Sequence, residues 1–581
     1  MKRFQLISLL LFLCGALSAQ MRDPLVREFI TPQRIVWQQT DSVLRDVEAL
    51  LVPGDGQATL GRARFCQIAN KENTSFILDF GRELHGSLQI FTGTASTIST
   101  KLRIRFGESV GETCSETVEN SSGVRGFSTN DHSQRDFITS VSRYGFKEIG
   151  NTGFRFVRID VLDHNIKLNI KEIRAVLRYR DLDYAGSFHC SDPRLDSIWQ
   201  TAAYTVHLNM QEYLWDGIKR DRCIWLGDMH PEVQTILAVF DDKDVVESTL
   251  DKAVEQYPLP QWLNGMSSYS FWYLIIQYDW FLRHGDLDFL TRHKEYISGL
   301  VRQIDSRISP DGIEEMNPGM MSSMSRFLDW PSTPNRSGVE AGYRALMSWA
   351  LADAEQLCRY LKDDETGGIA REARLRLDQC PKDPNGLLQG AALMAIAGTM
   401  KPKTAARNYI LKVGVGADGF TTFYGYYMLE ALAINGNYQE AMDIIRQYWG
   451  AMLDLGATSF WEDFHMEWLE NAARIDQMIP EGKVDVHGSY GDYCYHGYRH
   501  SFCHGWSSGP CPWLSKYVLG IQILEPGCRR VRIEPHLGDL EFAEGSFPTP
   551  YGPICVKHRK NEKGAVISEI QLPQGVEQVK D

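Results

Sequence analysis

Along residues 20–185 apolar and polar positions alternate over short runs, TSFILDFG, GSLQIFTG, KLRIRFG, FRFVRIDVL and IKEIRAVLRY, each bounded by Gly, Asn, Ser or Asp. A period of two in β-branched and aromatic residues predicts strands, because successive side chains on a strand face opposite sides of the sheet. This part of the chain is expected to form a β-sandwich or jelly-roll-like domain. Beyond Ser187 the period lengthens. Leu195, Ile198, Trp199, Ala202, Ala203, Val206 and Met210 recur at helical spacing behind an Asp192-Pro193 start signal. Comparable runs, among them YSFWYLIIQYDWFLRHG, GVEAGYRALMSWALADAEQLCRYL and YQEAMDIIRQYW, continue to about Leu519. They predict about ten to twelve helices joined by loops carrying Gly, Pro and Asp. No fixed period repeats among them, which argues against a consensus solenoid. Short strands and Pro/Gly turns return after that. The pattern therefore divides the chain into an N-terminal β-domain over 20–185, a helical domain over 186–520 and a small C-terminal β-domain over 521–581.

The first twenty residues, MKRFQLISLLLFLCGALSAQ, run from a basic pair through an apolar segment to small residues. That is the layout of a secretory signal peptide, expected over 1–19, and it makes the protein periplasmic or secreted. Cys14 follows Leu13, not the small residue that lipid attachment prefers, and no later segment is apolar enough to span a bilayer. With 43% hydrophobic and 23% charged residues the remainder reads as folded throughout. A formal charge of -13 argues against nucleic acid, whose backbone demands a basic stripe. Of twelve cysteines, Cys14 would leave with the signal, and the rest are scattered with no C-x-x-C pair or zinc spacing. Neither a disulfide framework nor a metal site is expected, although one or two bridges would fit an exported protein. No cofactor motif is present either, since the chain lacks a P-loop, a dinucleotide fingerprint, H-E-x-x-H and G-x-S-x-G.

What remains is a set of carboxylates with aromatic neighbours. In WDGIKRDRCIWLGDMHPE, Asp216, Asp221 and Asp228 lie between a helix expected to end near Trp215 and Gly217 and another beginning near Asp228. Spacing alone leaves two readings open. In one, Asp228 caps a helix, Arg220 and Arg222 pair with Asp216 and Asp221, and the tryptophans fill the core. In the other, the acids serve a substrate. GATSFWED offers Glu462 after Trp461, either as a presented carboxylate or as a first-turn Glu favoured by a helix dipole. His504 and Trp506 stand before a helix in HSFCHGWSSGPCPWL, and FLDWPSTP sets Asp329 beside Trp330 in a Pro-rich loop.

At these residues the chain resembles the α-L-rhamnosidases of glycoside hydrolase family 78, whose site loop commonly reads D-C-P-Q-R-E-K-L-G-W-x-G-D. DGIKRDRCIWLGD keeps the first Asp, the Arg four residues on, an acid after it and the closing Gly-Asp, without a gap. GATSFWED is similar to that family's G-A-T-T-x-W-E, and the segments from Ser501 to Ile554 resemble its last helices and C-terminal β-domain. The resemblance implies an (α/α)6 barrel for the helical domain and exo-acting hydrolysis of terminal α-L-rhamnose with inversion, without metal or cofactor. It carries Asp221 onto the general-acid position and Glu462 onto the general-base position. Asp216, Arg220 and Asp228 match residues that hold the sugar or orient the acid, Trp225, Trp330 and His504 are its pocket-lining matches, and Asp329, beside Trp330, is a further substrate-binding candidate. Two departures stand out: the acid is usually Glu, a methylene longer than Asp221, and the usual Cys-Pro is Gly217-Ile218. An inverting hydrolase of another deoxy or uronic sugar, and a carbohydrate-binding protein on a disabled scaffold, are the alternatives.

The chemistry sets conditions on these residues. One carboxyl must donate a proton to the departing oxygen while another takes one from water, the two standing roughly 6.5–9.5 Å apart in an inverting enzyme. Asp216 and Asp228, with burial beside Trp225, are expected to keep the acid protonated by repulsion. Arg220 is expected to point at Asp216, Asp228 or a sugar hydroxyl. An apolar wall of Trp or Phe would receive the methyl group of rhamnose.

Overall fold

The computed structural model describes residues 23–61, 63–116, 135–312, 314, 326–380, 382–412, 414–495 and 497–580. The expected signal peptide lies outside the described residues. Nine strands form one antiparallel network in the N-terminal region. Its order is Val43–Arg45, Cys66–Asn70, Ile166–Arg180, Thr74–Ala95, Phe146–Val161, Ser99–Gly107 and Asp136–Ser142, with Leu25–Ile30 beside Ile166–Arg180 and Arg34–Thr40 beside Thr74–Ala95. The strand Thr74–Ala95 is 22 residues long, and its register with Phe146–Val161 shifts between Asp79 and Leu84 and again between Gly86 and Leu88. Such bulges bend a long strand, so one segment serves successive neighbours in a curled sheet. Phe76, Leu78, Leu88, Ile90, Ile104, Phe154 and Ile159 fill its core. Leu208, Ile218 and Cys503, which follow much later in the chain, are buried in that same cluster.

In the helical region the sequence signals hold at the start: Pro193–Asn209 opens with Pro193 in its first turn, and the Asp192 carboxylate accepts from Arg194 N. Helices buried on nearly every face, such as Met229–Val239, Ser267–His284, Leu388–Ile396 and Gly425–Ile434, alternate along the chain with one-faced helices such as Asp244–Gln256, Lys294–Asp305, Asp364–Leu377 and Tyr438–Asp454. A helix apolar all round belongs inside, and one with an apolar stripe belongs outside it. The alternation therefore builds an inner and an outer layer.

The C-terminal strands Phe542–Phe547, Ile554–Lys560 and Val566–Gln571 form a sheet whose remaining strand is Ser187–Cys190, from the residues that precede the first long helix. Ile521–Ile523, Arg530–Ile533 and Glu577–Gln578 make a second small sheet. The eleven described cysteines are all unpaired thiols. No helix among the described residues is long and apolar enough to cross a membrane.

Candidate active site

The helix Pro193–Asn209 stops well before Trp215, so the loop carrying the acids is longer than its sequence suggests. Asn209 O accepts from Trp215 N at 3.0 Å, turning the chain out of the helix. The loop then closes on itself: Asp216 N donates to Cys223 O at 3.2 Å, and Cys223 N to Asp216 Oδ1 at 3.0 Å. Asp221 and Arg222, near its tip, have φ values of 55° and 52°. Left-handed backbone in non-glycine residues is unfavourable by about 1–3 kcal/mol each, and where it persists the surroundings hold it.

Glu462 lies in no helix, which removes the first-turn reading of this residue; the nearest helical turn is Met466–Glu470. Its backbone is pinned instead. Glu462 N donates to Ser501 O at 2.9 Å, and Glu462 O accepts from Thr422 Oγ1 at 2.6 Å and Trp506 Nε1 at 2.9 Å. Its Oε2 accepts from Ser501 N at 3.1 Å, while Oε1 pairs with Arg220 Nη2.

Arg220 corrects an expectation. It is paired neither with Asp216 nor with Asp228, but bridges Glu462 and Asp221, with Nη1 3.1 Å from Asp221 Oδ2. Its Nε donates to Arg499 O at 2.7 Å, and its guanidinium lies 4.1 Å above the Tyr495 ring. The reason is that the other two acids are already satisfied elsewhere. Asp216 is turned into the loop, and Asp228 accepts from Tyr269 OH at 2.8 Å and lies 3.3 Å from His504 Nε2. Although Asp228 stands at the N-cap of Met229–Val239, its carboxyl makes no cap bond. Of the reading in which Asp228 caps a helix and Arg220 and Arg222 pair with Asp216 and Asp221, the Arg220–Asp221 pair is present, whereas the cap bond from the Asp228 carboxyl is not.

The other residues fall around this centre unequally. His504 sits between Asp228 and Glu462, its Nδ1 3.9 Å from Glu462 Oε1. The half-buried Trp330 donates through Nε1 to Tyr495 OH at 3.0 Å, and Tyr495 hydrogen-bonds Glu462, so the ring joins the site through Tyr495. Trp225 meets Tyr269 edge-on at 6.1 Å, which brings it to the Asp228 side. Asp329 is buried and its carboxylate serves Thr421 Oγ1 at 2.7 Å and Trp330 N at 2.9 Å, holding the turn that presents Trp330. Sequence reasoning missed Tyr495, Arg499, Tyr269 and Glu232. The last is fully buried 3.4 Å from Asn209 Nδ2, and a Cβ on Gly505 would lie 1.5 Å from its Oε1, so only glycine fits there.

Electrostatics divides the acids. Burial works to raise Glu462, but the Arg220 guanidinium, with His504, His500 and the Tyr495 hydroxyl, overrides it and holds the carboxyl at about 2. Asp216 goes the other way, pushed well up by burial and then by repulsion from Asp221 and Asp228. Burial also lifts Asp228, against His504 and Tyr269. Held below its ordinary 4.5, Glu462 contributes stability that is complete above that value and drains away as pH falls through about 2. The melting temperatures of the wild type and Glu462→Gln are thus expected to converge between about pH 5 and about pH 2.5, and a constant gap would contradict this.

A separate cleft of about 240 Å3 lies at the seam with the C-terminal strands, lined by Gln234, Asp279, Arg283, Lys516 and Phe547 among others. It contains none of Asp216, Asp221, Asp228 and Glu462.

Residues 183–366 match the family model of the bacterial α-L-rhamnosidase six-hairpin glycosidase domain, and residues 520–579 that of the bacterial α-L-rhamnosidase C-terminal domain. An α-L-rhamnosidase of Alteromonas sp. is 24% identical over 461 residues, covering 72% of this chain and 47% of that protein. The chain thus spans about half the length of that curated relative. Among solved structures, the GH78 family rhamnosidase of Bacillus sp. GL1 superposes with a TM-score of 0.70 at 19% identity, over 91% of this chain and 55% of that one. A rhamnosidase from Klebsiella oxytoca with rhamnose bound superposes with a TM-score of 0.66 at 19% identity, over 85% and 96% respectively. The resemblance carried by the three motifs is borne out by these matches.

Proposed function

We propose that the chain is a member of the bacterial α-L-rhamnosidase family, whose six-hairpin glycosidase and C-terminal domain models match residues 183–366 and 520–579, and that it is an exported, exo-acting, inverting α-L-rhamnosidase. The domains are those read from the sequence, with the alternating inner and outer helices closing into an (α/α)6 barrel. Its substrate is a glycoside or oligosaccharide ending in α-L-rhamnose. Glu462 acts as the base and Asp221 as the acid.

The observation that carries this reading is the single guanidinium of Arg220 held between Glu462 and Asp221. Two carboxyls from distant parts of the chain share one cation, and only one of them is sealed. The Asp221 side chain keeps 13% of its surface in solvent, against 1% for Glu462. Glu462, ionised at any working pH, can accept a proton from a water molecule attacking the anomeric carbon. As that C–O bond forms, the bond to the aglycone breaks and Asp221 protonates the departing oxygen. The reaction ends with a protonated Glu462 and an ionised Asp221, and exchange with solvent resets both. A base held near 2 is ionised but weak. A sugar hydroxyl that draws Arg220 aside strengthens Glu462 and frees Asp221 from its cation at the moment of binding. Trp330 and Tyr495 supply the apolar wall for the methyl group.

Hydrolysis of a p-nitrophenyl α-L-rhamnoside followed by NMR tests the reading: β-L-rhamnose is expected first, with the α-anomer appearing only by mutarotation. First appearance of the α-anomer would overturn inversion. Turnover of another glycoside with none of rhamnosides would overturn the sugar.

A further inference from the structure

The loop around Asp221 is gripped from outside the helical region. Ile218 is fully buried in the apolar core of the N-terminal sheet, and a Cβ on Gly153 of the strand Phe146–Val161 would lie 2.8 Å from the Ile218 side chain and 3.1 Å from Lys219 N. The sheet approaches this closely only because residue 153 is glycine. Next to Ile218, the Lys219 ammonium is buried among close polar partners: Glu108 Oε2 at 2.9 Å, Tyr498 O at 2.7 Å, His500 O at 2.6 Å and His487 Nε2 at 3.0 Å. Glu108, on the N-terminal side, also accepts from Phe502 N at 2.7 Å through the same oxygen. Glu112 lies 3.5 Å from Lys219 Nζ and is tied to Arg135 at 3.6 Å. Glu108, Glu112 and His487 converge closely enough to hold a cation, and the lysine supplies that charge itself.

On the other side of Asp221, Arg222 Nη1 donates to Asn151 O of the N-terminal sheet at 2.9 Å and lies 3.4 Å from His85 Nε2. The backbone strip that Lys219 binds, residues 498–500, also receives Arg220 through Arg499 O. Both flanks of a left-handed Asp221 and the partner of its cation are thus fixed by one network rooted in the β-domain. A carboxyl one methylene short of the family's usual acid must be carried forward by its backbone, and this network is placed to do so.

We propose that Lys219, locked to Glu108, is a positioning residue that sets the backbone of Asp221 against the glycosidic oxygen, making the N-terminal β-domain a working part of the site; this rests on Asp221 being the proton donor. Lys219→Met alone strands Glu108 as a buried unpaired charge and is apt to disturb folding. The double variant Lys219→Met/Glu108→Gln removes both charges and leaves Glu112 with Arg135. In that variant kcat is expected to fall about a hundredfold on an alkyl rhamnoside and less than about fivefold on a dinitrophenyl rhamnoside, with KM within about twofold of wild type. Hydrogen exchange of the amides of residues 219–223 is expected to speed up. Equal losses on both substrates, no loss, or unchanged exchange would overturn the proposal. If Asp221→Asn itself shows no leaving-group dependence, the donor assignment fails, and the exchange comparison alone then decides whether Lys219 holds the loop.

Discussion

Glu462→Gln is expected to lose turnover about a thousandfold or more on every substrate, whatever its leaving group. The reason lies in what the amide cannot do. Water attacking the anomeric carbon must shed a proton as the bond forms, and a glutamine has no lone pair basic enough to take it. A good leaving group relieves the acid and does nothing for the base. The replacement should also leave the site standing, because the bonds that fix this backbone, from Thr422 Oγ1 and Trp506 Nε1 to Glu462 O and from Glu462 N to Ser501 O, do not involve the carboxylate. Arg220 keeps Asp221, Arg499 O and the Tyr495 ring as partners. Initial rates on alkyl and dinitrophenyl rhamnosides, with circular dichroism to verify folding, check the outcome. An added small anion such as azide, which can attack without losing a proton, is expected to restore part of the rate on the activated substrate. A folded variant keeping a tenth of wild-type activity on any substrate would remove Glu462 from the base position.

The distance between what the sequence displayed and what the structure holds follows from range. Periodicity reports local burial, so the change from strands to helices near Ser187 and the start of the first helix at Asp192 were readable. Motif register singled out Asp221, Asp228, Glu462 and His504, each in a short distinctive segment, and in the structure Arg220 links Asp221 with Glu462 while His504 lies between Glu462 and Asp228. The direction in which Arg220 points was not readable, because it depends on which acids are already satisfied. Tyr269 and His504 take Asp228, and the backbone amide of Cys223 takes Asp216. Both donors to Asp228 come from other segments. The four-residue strand Ser187–Cys190 was also hidden, since its partner Phe542–Phe547 follows after the entire helical region and four residues carry too little pattern alone. Glu108 is the extreme case: it meets Phe502 N across 394 residues of chain. A lone Glu in a β-rich segment gives no sign that it serves a site built by helices.

Asp221→Asn is expected to separate substrates that the wild type treats alike. On rhamnosides of alcohols or other sugars, whose oxygen leaves only if protonated, the loss should be about a thousandfold. On dinitrophenyl rhamnosides, which depart as stable anions, it should be under about tenfold. Asparagine suits the test because it has nearly the shape of aspartate and is among the few residues that accept left-handed backbone, so the φ of 55° at this position can persist. Valine or leucine there would confuse lost chemistry with a rebuilt loop. A series of aryl rhamnosides of graded phenol acidity should give a shallow dependence of kcat on leaving-group pKa in the wild type and a steep one in the variant. A uniform loss across the series would mean that Asp221 only holds Arg220 in place, and the proton would then have to come from another group. Asp228 would be the next candidate, since burial favours its protonated form and it is linked to Glu462 through His504. The slope of that series therefore decides whether a shorter acid on a strained loop can replace the family's glutamate, or whether the proton has moved one residue cluster inward.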